Sequence, residues 1–212
     1  MRILLLAILA LPAFGAPMLS SNPLAHNQIF LDGANWTATD DQIRQTFSIV
    51  AGAFSRFDVD VTTLDPGIRT DVAWVRIGGQ FVPDPTGQYA TLAGQSPVGV
   101  WHYGTTFRPY GTLFSASVYA DGMANDPLEV AHTIIHETGH QAGLNHETDG
   151  YMDPVPVFEL TPDDFHWTPE DGALLDSEFG VYAPPDVAPD TPEPSMLLAL
   201  CGLMLMRRGT RE

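Results

Sequence analysis

The chain has 212 residues, enough for one medium-sized domain with tails and a substantial core. Twenty-six acidic residues oppose nine basic ones, all arginine, and Arg2, Arg207, Arg208 and Arg211 lie in the terminal segments, so the middle is more acidic than the net charge of −17 suggests. Such a surface lacks the basic footprint that nucleic acid needs and suits an exported protein in a salty or calcium-rich medium, although no Asp/Asn-rich segment matches the twelve-residue calcium loop and a structural Ca2+ ion stays without a motif.

Residues 1–15 read as a secretory signal peptide. Arg2 supplies the positive start, Ile3 to Leu11 the apolar run, and Ala13-Phe14-Gly15 a small-x-small cleavage site after Gly15. An unstructured lead follows to about Asn35. Thr39, with Gln42 three residues later, forms a capping-box pattern ahead of a helix whose Ile43, Phe47, Val50 and Phe54 recur on one face. Phe57, Val59 and Val61 alternate with Asp58, Asp60 and Thr62, the pattern of a half-buried strand, which Asp65-Pro66-Gly67 stops. Val72 to Ile77 reads as a second strand closed by Gly78-Gly79. Residues 80–112 are rich in Gly, Pro and aromatics and read as a long functional loop with a short strand around Val98 to Trp101. Leu113 to Ala120 is predicted as a further strand.

Asp126 then caps a helix with Pro127 at its first position, running to about Ala142. Val130, Ile134 and Ile135 are expected on its core face, with His132, His136 and His140 on another stripe. The run His136-Glu137-Thr138-Gly139-His140-Gln141-Ala142-Gly143-Leu144-Asn145-His146 has the form H-E-x-x-H-x-x-G-x-x-H. His136 and His140 sit one turn apart on one face, and Glu137 follows the first of them. Gly143 permits the left-handed conformation that ends the helix, so that His146 swings back towards the pair. Three neutral imidazoles with one open position describe a catalytic zinc site rather than a closed structural one. The run resembles the metzincin form of the zinc-peptidase motif, and Met152, in Gly150-Tyr151-Met152-Asp153-Pro154, stands where that clan carries its Met-turn. Phe57 to Pro66 is likewise similar to a strand that follows the first helix in secreted bacterial metzincin-like peptidases.

The resemblance implies an α+β, sandwich-like catalytic domain: a mixed twisted sheet, an active-site helix, the Met-turn and a small C-terminal subdomain. It implies one catalytic Zn2+ ion held by His136, His140 and His146, with Glu137 as general base and Met152 beneath the metal. It also implies that the strand before the active-site helix, Leu113 to Ala120, is a sheet edge that takes an extended peptide substrate by strand addition. Some metzincins place a tyrosine two residues after the turn methionine; here that position is Pro154. His132 reads as a neighbour of the ligands, a lining residue of the cleft or a solvated side chain, and His166 as a bystander. Thr168-Pro169-Glu170-Asp171 opens a final helix carrying Leu174, Leu175 and Phe179 on one face.

Residues 16–182 therefore form the expected peptidase domain. Residues 183–191 form a Pro-rich linker, and 192–212 a tail of Pro192-Glu193-Pro194, the apolar run Met196 to Met206 and Arg207-Arg208. This tail resembles the PEP-CTERM sorting signal, which implies recognition by an exosortase-type machinery at the inner membrane of a bacterium. Its eleven apolar residues fall short of the roughly 17–25 of a spanning helix, so the membrane contact is transient. The only cysteine, Cys201, lies in this tail, which leaves the domain without a disulfide. The reading is a secreted or cell-surface zinc endopeptidase. Two alternatives stay open: a non-catalytic, zinc-containing envelope or matrix-binding protein, and a zinc hydrolase of a non-peptide amide.

Overall fold

A computed structural model describes residues 17–85, 91–106, 114–154, 157–161 and 164–183. The expected signal peptide, the Pro-rich linker beyond Ala183 and the sorting tail lie outside the described residues. Among the described residues no helix is long and apolar enough to cross a membrane.

The fold is α+β, with a mixed five-stranded sheet in the order β2-β1-β3-β5-β4. The strands are β1 Asn27–Asp32, β2 Val59–Thr62, β3 Val72–Ile77, β4 Gly94–Gln95 and β5 Ala116–Val118, and the helices are α1 Asp40–Ala53, α2 Pro127–Ala142 and α3 Pro169–Phe179. β1 pairs parallel with β2 and β3, β3 pairs parallel with β5, and β4 alone runs antiparallel, on the outer side of β5. Alternation along the strands sorts their side chains between two faces. Ile29, Leu31, Ala73, Val75 and Ile77 join the main core with Val130, Ile134 and Ile135 of α2, whereas Phe30, Val72 and Trp74 form a separate small cluster.

Both helix starts form as predicted. Thr39 Oγ1 accepts from the Gln42 N–H in a complete capping box, and the Asp126 carboxylate accepts from the N–H groups of Leu128 and Glu129 ahead of Pro127. On α1, Ile43 and Val50 are buried, as is Phe54 at its C-cap, and Phe47 packs at the margin of the core. The one-sided stripe expected for α2 is too modest, since every residue from Val130 to Ala142 is buried. The helix lies against α1 on one side and under β3, β4 and β5 on the other.

Four readings of the first 125 residues need correction. The lead to Asn35 is not unstructured, because it contains β1, which lies between β2 and β3. A strand covered on both faces shows a short unbroken apolar run, here Ile29-Phe30-Leu31, instead of an alternation. The strand within 57–62 is not half-buried, since Val59, Asp60, Val61 and Thr62 are all buried. The short strand is β4 at Gly94–Gln95, and Trp101–Tyr103 is a 3-10 turn. Finally, β5 is an internal strand of only three residues, and among the described residues the outermost strand on that side of the sheet is β4.

The burial of Asp60 has a specific cause. Residues 19–22 lie along β2, with Ser20 bridged antiparallel to Thr62 and the Ser21 N–H donating to the Val61 carbonyl at 3.0 Å. The Asp60 carboxylate accepts from Ser20 Oγ, the Ser21 N–H and the Asn22 N–H, each at 2.9 Å. A carboxylate fully engaged by donors can stay inside, whereas donors stripped of it become orphans. Asp60→Ala is expected to lower stability by about 2 kcal/mol and to remove hydrogen-exchange protection at Asn22, whereas the Ser21 amide keeps its bond to the Val61 carbonyl. Denaturant melts with exchange read at those two amides check this.

Candidate metal centre

Gly143 ends α2 at φ 105, and its N–H and that of Leu144 return to the carbonyls of His140 and Gly139. This left-handed cap costs glycine nothing and redirects the chain within one residue. The reversal brings the exposed His146 back over the helix. The His136–His140, His140–His146 and His136–His146 ring centroids are 4.7, 4.8 and 5.1 Å apart. One nitrogen from each ring lies within 4.8 Å of the others.

Two backbone carbonyls set the tautomers. His136 Nδ1 lies 2.8 Å from the Tyr151 carbonyl and His140 Nδ1 2.9 Å from that of Leu144. A carbonyl only accepts, so both Nδ1 atoms carry the proton and both Nε2 atoms are bare lone pairs. Burial, and for His136 the neighbouring His140, lower the affinity of these rings for a second proton, which brings His136 down to about 3. Neutral imidazoles with an oriented outer nitrogen are what a divalent transition metal requires.

Glu137 is 5 % exposed and its Oε2 has no hydrogen-bond partner. Burial pushes its carboxyl up to about 8. A buried, uncompensated carboxylate beside three imidazoles is costly unless a cation stands nearby. The donor set and the orphaned oxygen together fit a resident metal ion.

Below the helix, Gly150–Met152 forms a 3-10 turn entered through Gly150 at φ 66. The Tyr151 N–H donates to the His166 carbonyl at 2.9 Å and the Glu147 N–H to the Met152 carbonyl at 3.0 Å. Met152 is fully buried, and a Cβ built on Gly139 would stand 2.5 Å from its Sδ. The glycine inside the motif thus makes room for the methionine beneath it. Thr168, the N-cap of α3, donates to Glu147 Oε2 at 3.3 Å and ties the final helix to the loop of the third histidine.

His132 is not solvated: it is 2 % exposed and packs near His136, Tyr151 and Phe165. His166 has its ring exposed and 3.5 Å from Asp149, and its backbone carbonyl rather than its imidazole serves the turn. Sequence reasoning missed the carbonyls of Leu144 and Tyr151, since a backbone acceptor leaves no side-chain signature. It also missed Gly94, which lies against Glu137.

No family model matches the sequence, and no curated protein matches it either. Among solved structures the chain is similar to archaemetzincin from Methanopyrus kandleri, at 14 % identity and a TM-score of 0.43 over 72 % of this chain and 95 % of that one. It is also similar to myroilysin, at 15 % identity and a TM-score of 0.34 over 72 % of this chain and 66 % of that one.

The buried groups impose opposite pH dependences on the metal-free protein. His136 and His132 drop to about 3 and about 4 from 6.5, so below 6.5 the unfolded chain takes up protons that the fold refuses, and stability falls as pH falls. Glu137 rises to about 8 from 4.5, so between those values the fold holds a proton that the unfolded chain has released, and stability falls as pH rises. In chelator, Glu137→Gln is expected to gain stability over wild type progressively from pH 5 to pH 8. Parallel thermal melts check this, and a constant difference across that range contradicts it. Met152→Ala is expected to cost roughly 2–5 kcal/mol in the same melts.

Proposed function

We propose that the chain is a zinc-dependent endopeptidase in which His136, His140 and His146 hold the ion, Glu137 is the general base and Met152 supports the ligands from below. The observation that carries this reading is the convergence of three imidazoles, two with Nδ1 committed to backbone carbonyls, beside a buried carboxylate with a free oxygen. A zinc ion in such a site supplies a Lewis acid that makes water nucleophilic near neutral pH and polarises a carbonyl.

The protein's own groups do the rest. With a cation nearby to oppose the effect of burial, Glu137 is ionised and its unpartnered Oε2 accepts the proton of the attacking water. The same oxygen then returns that proton to the leaving amine, which restores the carboxylate. The outer side of β4 pairs with no other strand among the described residues, so an extended peptide fits there by strand addition, next to Glu137. This moves the expected substrate edge from Leu113–Ala120 to Gly94–Gln95.

The sequence supports the cellular part of the proposal. Residues 1–15 would direct export to the envelope, cell surface or medium of a bacterium. Residues 192–212 would present the domain to an exosortase-type sorting machinery after transient contact with the inner membrane.

Purified wild type and Glu137→Gln are expected to bind one zinc ion each. Wild type cleaves unstructured peptides in a chelator-sensitive manner, and the variant is slower by about 10²–10⁴-fold. Metal analysis and mass spectrometry of a peptide library check this. Zinc in both proteins with cleavage by neither would instead favour the zinc-containing binding protein.

A further inference from the structure

β4 approaches α2 more closely at one point than any residue but glycine would allow. A Cβ built on Gly94 would stand 2.6 Å from Glu137 Oε1, 2.8 Å from Glu137 Cγ and 2.7 Å from Thr133 Cγ2. Gly94 has no positive φ among the backbone angles of the chain, so its backbone conformation does not call for glycine. The requirement is space against the face of the helix that carries the carboxylate.

Of the two partners Thr133 is held in place, whereas the Glu137 carboxylate has an oxygen without a hydrogen-bond partner and is the group that can move. Thr133 Oγ1 donates to the Glu129 carbonyl at 2.9 Å, which holds the Thr133 methyl group towards the strand. The strand is fastened on both sides of Gly94. The Tyr119 N–H donates to the Ala93 carbonyl at 2.8 Å, Gly94 is paired with Val118, and the Gly99 N–H donates to the His140 carbonyl at 2.9 Å. The segment from residue 94 to residue 99 is thus strapped along α2, from Glu137 to His140.

We propose that Gly94 is a positioning residue for the general base: its lack of a side chain lets the edge strand close over Glu137 and confines the carboxylate to the slot beneath β4. This deepens the peptidase reading and rests on it. The slot fixes where Glu137 lies relative to the strand that would hold the peptide. A side chain at position 94 would push the carboxylate out of that slot. It would leave the metal ligands untouched, because His136 and His140 are held from the other side by Tyr151 and Leu144.

The test is a mutant cycle on the full chain: wild type, Gly94→Ala, Glu137→Asp and the double variant, each with kcat, KM and zinc content measured. Gly94→Ala is expected to lower kcat by about 100-fold, the cost of misplacing a reacting group by about an ångström. KM and zinc content stay at their wild-type values. In the Glu137→Asp background, where the carboxylate is one methylene shorter, the same substitution is expected to cost less than about fivefold, a departure from additivity that reports contact. An equal fold-loss in both backgrounds, or loss of zinc along with kcat, overturns the proposal. So does recovery of Gly94→Ala by Thr133→Ser alone, which would make the threonine methyl the group that needs the space.

If Gly94→Ala does not fold, the cycle is repeated against Glu137→Ala with thermal melting as the readout. Recovery of the fold in the double variant supports the contact, and its absence overturns it. An inactive wild type with a coupled melting cycle sinks the peptidase reading and the positioning role with it. An active wild type with an uncoupled cycle sinks the positioning role alone.

Discussion

The candidate centre depends on two hydrogen bonds from imidazole to backbone. The carbonyls of Tyr151 and Leu144 take the Nδ1 protons of His136 and His140 and so decide which nitrogens face outward. Each carbonyl belongs to a turn that a glycine makes available: Gly143 for Leu144, Gly150 for Tyr151. The turn at Gly150 is held in turn by the His166 carbonyl, and the loop of His146 is joined to Met152 through Glu147. A change in either turn would release a ring from its tautomer before it altered any ligand.

The fold supports this by surrounding α2. A helix buried along thirteen consecutive residues presents no soft side, since it meets α1, the sheet and the turn below it. Such enclosure is what leaves Glu137 without solvent and His136 without a second proton. It also makes the small residues matter. Gly139 lets Met152 in from below and Gly94 lets the sheet edge in beside Glu137, so the helix is approached at van der Waals distance on two sides of the same turn. Desolvation at the centre persists because the packed shell does not relax.

Much of this was legible in the sequence, for identifiable reasons. The caps at Thr39, Asp126 and Thr168 are local side-chain-to-backbone bonds, and all three form. The spacing of His136, His140, Gly143 and His146 encodes a helix, a stop and a return, which is also local information, and the structure brings the three rings together. What was hidden depends on contacts between distant segments. β1 was missed because cover on both faces erases alternation, and Asp60 looked solvent-facing because residues 19–22, which bury it, lie about forty positions away. The resemblance placed the edge at Leu113–Ala120, whereas Gly94–Gln95, two residues that are too few to show a period, pair outside β5.

The central claim is that three imidazoles hold one zinc ion and leave a position open. X-ray absorption at the zinc edge of the purified protein tests it most directly. The account predicts one zinc ion per chain with three imidazole nitrogens at about 2.0–2.1 Å and a further light ligand that is exchangeable. The same measurement on His146→Ala should show the third imidazole gone. A folded wild type that binds no zinc, or binds it with a closed set of four protein ligands, would contradict the account.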